Sequence, residues 1–147
     1  MNDFPPANGT DNTNGAARAR AFRPRIVVIN DDETFLELMR ELLEEEGYKV
    51  LIAHESDGGH TLVRKERPAL VILDLRLEHP DAGWMILQAL TLDPHTATIP
   101  VIVCSADVRL LREKEQWLLQ RGCMVQEKPF ALDDILDKIA AALTMPR

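Results

Sequence analysis

The sequence predicts a doubly wound α/β domain, a five-stranded parallel sheet with helices on both faces. Three observations carry that prediction. Five short aliphatic runs recur along the chain, apolar at successive positions rather than at alternate ones. That pattern marks strands covered on both sides. The segments between them place apolar residues at helical spacing. Glycines and prolines punctuate the boundaries.

Taken in order, Arg25 to Asn30 is the first strand and stops at acids. From Glu33 to Glu46, Phe35, Leu38, Met39, Leu42 and Leu43 recur at helical spacing, with Gly47 as the stop. Tyr48 to Ala53 is the second strand. Ser56 to Glu66 is a weaker helix, because Gly58 and Gly59 each disfavour it by about 1 kcal/mol relative to Ala. Pro68 closes it. Ala69 to Leu75 is the third strand and Gly83 to Leu92 the next helix. Pro100 to Ser105 is the fourth strand. Asp107 to Arg121 is one helix ended by Gly122. Cys123 to Glu127 is the fifth strand. Leu132, Ile135, Leu136, Ile139 and Leu143 make the last helix amphipathic. Residues 1–22, rich in Asn, Gly, Pro and Ala, are expected to form a flexible tail, and 23–147 the domain.

Apolar residues make up 46% of the 147-residue chain, enough for one well-filled core. The net charge of −7 argues against direct nucleic-acid binding, which rests on clustered Lys and Arg. No apolar run reaches the roughly 18 residues needed to span a bilayer, and the N-terminus lacks a secretory pattern. Cys104 and Cys123 have no metal-like spacing and read as reduced thiols of a cytoplasmic protein. His54, His60, His79 and His95 share no ligand spacing and read as surface or loop residues. Trp84 and Trp117 read as packed or half-buried helix residues.

In an open parallel sheet, ligands bind beyond the carboxyl ends of the strands. Those ends carry Asp31 and Asp32, Asp74, Ser105 and Lys128. Two like charges about 4 Å apart repel by on the order of 4 kcal/mol at an effective dielectric near 20. A hard divalent cation relieves that repulsion, and Mg2+ favours a few carboxylates together with water and phosphate oxygens. One carboxylate then serves as a nucleophile on phosphorus. Asp74, ending the central strand, is the natural candidate. Lys128 would pair with a phosphoryl oxygen and Ser105 would donate a hydrogen bond to another. Asp31 and Asp32 also suit a helix N-cap, which would be the preferred reading if they stood alone.

The runs Ile26 to Glu33 (IVVINDDE), Leu70 to Leu75 (LVILDL), Pro100 to Ala106 (PVIVCSA) and Glu127 to Phe130 (EKPF) stand in an order and spacing that resemble a response-regulator receiver domain of two-component signalling. The resemblance covers about Arg25 to Leu143. It implies the flavodoxin-like strand order 2-1-3-4-5 and a stand-alone, chemotaxis-type receiver that is a switch rather than an enzyme. It implies that Asp74 accepts phosphate from a phosphohistidine on a sensor kinase or phosphotransfer protein. Asp31, Asp32, Asp74 and the backbone carbonyl of Arg76 would hold Mg2+, and Lys128 and Ser105 would sense the phosphoryl group. The Lys128-Pro129 bond would be cis. Output would pass to a downstream protein partner or onward by phosphorelay, with a homodimer through the last two helices and fifth strand as an alternative state. No membrane partner is implied.

The chain departs from the family at two places. The loop from Leu75 to Gly83 is one residue longer, with Ala82 where an Asp commonly precedes the Gly. Val125 stands where the family has a Tyr or Phe that swings inward on activation. A degenerate receiver that binds its partner without phosphorylation is therefore the first rival. An aspartate-dependent phosphatase of another α/β fold is the second. It is disfavoured because there a second acid lies two residues after a nucleophile that follows the first strand, a spacing that Asn30-Asp31-Asp32 lacks. Arg76 and Asp107 are expected to flank the phosphoryl group and slow its hydrolysis.

Overall fold

The computed structural model describes residues 23–54, 56–75 and 81–144. The expected tail over residues 1–22, with Arg76 and His79, lies outside the described residues. Five strands, β1 (Arg25–Ile29), β2 (Lys49–Ala53), β3 (Leu70–Asp74), β4 (Val101–Ser105) and β5 (Met124–Glu127), form one parallel sheet in the order β2-β1-β3-β4-β5. The helices are α1 (Glu33–Glu45), α2 (Ser56–Glu66), α3 (Ala82–Leu92), α4 (Val108–Glu113), α5 (Glu115–Gln120) and α6 (Leu132–Thr144). The predicted fold class and strand order are both observed.

Alternation along the strands sorts the core into two layers. Val27, Ile29, Val71, Leu73, Val101 and Val103 face one way and pack with residues of α2 to α5, among them Val63, Leu87, Leu90, Leu111 and Leu118. Ile26, Val28, Leu70, Ile72, Ile102 and Cys104 face the other way, against Leu36, Met39 and Leu43 of α1 and Ile135, Ile139 and Ala142 of α6. Strands β1, β3 and β4 are therefore buried on both sides, which is why their sequences show no polar alternation.

Three details differ from the sequence reading. On α1 the buried stripe is Leu36, Met39 and Leu43, whereas Leu38 is 51% exposed. Positions 36, 39 and 43 are spaced by three and four, so they share one side of the helix, and Leu38 lies about 100 to 160° around the helix from each of them. The helix expected over 107–121 is broken at Lys114 into α4 and α5. The break involves neither Pro nor Gly. The Lys114 N–H still reaches the Leu110 carbonyl at 3.1 Å, and its own carbonyl accepts from Leu118 at 2.9 Å. Finally, most strands begin or end one residue inside the predicted limits. Gly47 (φ +95°) and Gly122 (φ +72°) end α1 and α5 as predicted, in a left-handed conformation that favours glycine.

Candidate functional site

Asp74 closes β3 at the centre of the sheet. The register pairs Ile29 of β1 with Leu73 of β3, so the next residues, Asn30 and Asp74, lie side by side. On the other flank Asp74 pairs with Cys104, and Ser105 pairs with Glu127 of β5. The residues following β1, β3, β4 and β5 thus meet at one edge, where the strand-end rule places a ligand site.

The Asp74 carboxylate, 12% exposed, forms an ion pair with the Lys128 ammonium: Nζ lies 2.9 Å from Oδ2. Asn30 Nδ2 donates to the same Oδ2 at 3.3 Å. Lys128 is positioned from two sides. Its backbone N–H donates to the Ser105 carbonyl at 2.9 Å, tying the end of β5 to β4. Its ammonium also sits 4.3 Å from the ring centre of Phe35, in the first turn of α1, and that ring meets Phe130 edge-on. The Lys128-Pro129 bond is cis, as the resemblance implied.

Ser105 is buried, and its hydroxyl oxygen accepts the Asp107 N–H at 3.0 Å. Asp107 in turn caps α4 by accepting from the Leu110 N–H at 3.0 Å. Its expected pairing with Arg76 involves a residue outside the described ones. Asp32 takes the capping role weighed above: Oδ1 accepts from the N–H groups of Thr34 (3.0 Å) and Phe35 (3.3 Å). Asp31, between Asn30 and Asp32, is exposed. Among the described residues, no three His, Cys, Asp or Glu side chains lie together closely enough to hold a metal ion.

Sequence reasoning passed over three residues that shape the site. Asn30 was read as the last residue of a strand, although a polar side chain buried to 2% exposure needs a partner. Phe35 was assigned to the core stripe alone. Gly83 reads from the sequence as a helix start at the end of the loop, and a Cβ there would run into the carbonyl oxygens of Asp74 and Leu75. Trp84, the next residue, meets Trp117 at a tilt of 58° with ring centres 4.6 Å apart. Lys114 lies over Trp84, and Arg121 over Trp117.

The two cysteines take no part in this chemistry. Burial pushes the Cys104 thiol up to about 12 and the Cys123 thiol up to about 11, so neither is a nucleophile near neutral pH. His60 joins Asp93 rather than the site. No helix among the described residues is long and apolar enough to cross a membrane.

Comparison with known proteins agrees with this fold. The family model for the response regulator receiver domain matches residues 26–140. The chain belongs to that family. Among curated relatives it is 33% identical over 120 residues to the DNA-binding dual master transcriptional regulator RpaA of Synechocystis, a match covering 82% of this chain and 49% of that one. It is 33% identical over 79 residues to protein PilH of Pseudomonas aeruginosa, covering 54% of this chain and 64% of PilH. The polar-differentiation response regulator DivK of Brucella anthropi is 26% identical, covering 80% of this chain and 94% of DivK. The chain thus spans about half the length of RpaA and under two thirds of PilH. The non-phosphorylated HemR receiver domain of Leptospira biflexa superposes with a TM-score of 0.75 at 25% identity, covering 85% of this chain and 98% of that one. The chemotaxis response regulator CheY4 of Vibrio cholerae shares the fold at TM-score 0.72 and 18% identity, covering 82% of this chain and 99% of that one.

Receiver domains are signalling switches rather than enzymes of conventional type. They generally bind Mg2+ at the phosphorylation site, and they interact with histidine kinases or phosphotransfer proteins and with downstream targets.

Proposed function

We propose that Asp74 is the phosphoacceptor of this receiver. The observation that carries the reading is the Asp74 carboxylate at the end of the central strand, nearly buried and paired with Lys128 at 2.9 Å. A carboxylate oxygen of Asp74 attacks the phosphorus of a phosphohistidine on a sensor kinase or phosphotransfer protein. The P–N bond breaks, the imidazole leaves and is reprotonated, and an acyl phosphate forms. Lys128 then exchanges its carboxylate partner for a phosphoryl oxygen, a charge-assisted contact of the same kind. Ser105, held by the Asp107 N–H, supplies its hydroxyl as a donor.

The donor set suits Mg2+: hard carboxylate oxygens at adjacent strand ends, too few to displace all of its water. Asp31 and Asp74 would hold it, with the Arg76 carbonyl, while Asp32 caps α1. Bound there, the ion would neutralise charge on the transferring group.

Output is assigned to a protein partner. A shallow groove of about 450 Å3 lies along α4, α5, β5 and α6, lined by Leu111, Leu119, Met124, Val125 and Lys138 among others. It offers a surface for a downstream protein or, alternatively, for a second copy of the chain. The acidic balance of the chain supports this reading over direct nucleic-acid contact.

The rival reading, partner binding without phosphorylation, is motivated by Val125. It packs against the core beside α4 and α5 and has no ring to swing inward. Trp84 separates the two, because it follows the glycine that touches the Asp74 carbonyl. Beryllofluoride with Mg2+ is expected to change tryptophan emission in the wild type and not in Asp74→Asn. Identical, unresponsive spectra would favour the rival.

A further inference from the structure

The Asn30 side chain makes two specific bonds at the heart of the site. Its Oδ1 accepts the Asp32 N–H at 2.9 Å and its Nδ2 donates to Asp74 Oδ2 at 3.3 Å. A backbone N–H can only donate, so it fixes which end of the amide is the oxygen. The NH2 end is thereby turned toward Asp74. The backbone N–H of Asn30 is engaged separately, with the Ala53 carbonyl at 3.1 Å. The residue is 2% exposed and cannot turn away to water.

We infer that Asn30 is a positioning residue that holds the Asp74 carboxylate and, being neutral, keeps the site's affinity for divalent cations low. This rests on the reading of Asp74 and Asp31 as the acidic pair of the site. Two properties follow from the amide. First, it donates to Asp74, which a carboxylate in the same place cannot do. Second, it adds no charge where Asp31 and Asp74 already stand, so the site is stable without a cation because Lys128 and Asn30 share the load on Oδ2. A carboxylate at position 30 would reverse both: it would repel Asp74 and offer another hard oxygen to a cation. The site then binds Mg2+ transiently, at the phosphorylation step, rather than retaining it.

The test is calorimetric titration of the full chain with Mg2+ alone at pH 8, comparing wild type, Asn30→Asp and Asp31→Asn. Asn30→Asp is expected to tighten Mg2+ binding about tenfold, from one added unit charge beside the ion. Asp31→Asn is expected to weaken it. A purely structural role for Asn30 would not tighten binding, so an unchanged or weaker affinity in Asn30→Asp overturns the inference. If Asp31→Asn also leaves the affinity unchanged, the acidic pair itself is misassigned, and both readings fall together. A second readout addresses positioning. At saturating Mg2+, Asn30→Ala is expected to accept phosphate from acetyl phosphate several-fold more slowly than wild type, while retaining Mg2+ affinity within about threefold. Equal rates would contradict the holding role.

Discussion

Residues from four different segments converge around Asp74. Lys128 and Asn30 both donate to one of its oxygens, and Phe35 sits against the Lys128 ammonium. Gly83 is the least conspicuous contributor. Its missing side chain lets the start of α3 lie directly on the Asp74 and Leu75 carbonyls. Gly83→Ala therefore forces backbone apart and is expected to cost about 2 kcal/mol, the range of an overpacked interior. Urea unfolding would measure it, and phosphorylation should slow as the end of β3 shifts. An unchanged midpoint would show that the helix start can yield. Asp74, Ser105 and Lys128 stand out in the sequence as candidates because each lies at the end of a recognisable apolar run. Asn30 does not, because a single amide beside three acids forms no pattern of its own. What distinguishes it is burial, and burial at a strand's last residue depends on the neighbouring strand rather than on local sequence.

At the scale of elements, apolar spacing locates all five strands and every helical segment, though it merges α4 and α5 into one and cannot choose among overlapping stripes. On α1 there are more apolar residues than one face can bury, so Leu36 entered the core and Leu38 did not. The break at Lys114 had no Pro or Gly to announce it. The two glycines of α2, read alike in the sequence, differ in the structure. Gly58 faces open space, whereas a Cβ on Gly59 would stand 3.1 Å from Ile29 Cδ1 and 3.3 Å from Ile86 Cδ1. Gly58→Ala is expected to stabilise the fold by about 0.5–1 kcal/mol, the difference in helix propensity. Gly59→Ala is expected to forfeit that gain to crowding against the core. Thermal or urea midpoints of the two variants check the contrast, and equal gains would contradict it.

Across the whole molecule, two helical layers hold one sheet, and a polar tie on the α2–α3 side adds a pH dependence. Asp93, just after α3, accepts the His95 N–H at 2.9 Å and the His60 Nε2–H at 2.9 Å, with Arg64 3.6 Å away. The His95 N–H chiefly, opposed by burial and helped by His60 and Arg64, holds the Asp93 carboxyl below its ordinary value. The unfolded chain therefore takes up this proton first as pH falls. The stabilisation is present above the ordinary carboxylate value and is lost as pH drops through the lower, folded one. Asp93→Ala should accordingly be less stable than wild type at pH 7, and the gap should shrink near pH 3. A gap independent of pH would contradict this assignment.

The largest claim at this scale is that the sheet edge exists to place one reactive aspartate. It is tested most directly by mass spectrometry of the intact chain after incubation with acetyl phosphate and Mg2+, wild type beside Asp74→Asn. The wild type should gain the mass of one phosphoryl group, carried on the peptide containing Asp74, and Asp74→Asn should gain none. No gain in the wild type, or an equal gain in both, would contradict the assignment of Asp74 as the phosphoacceptor.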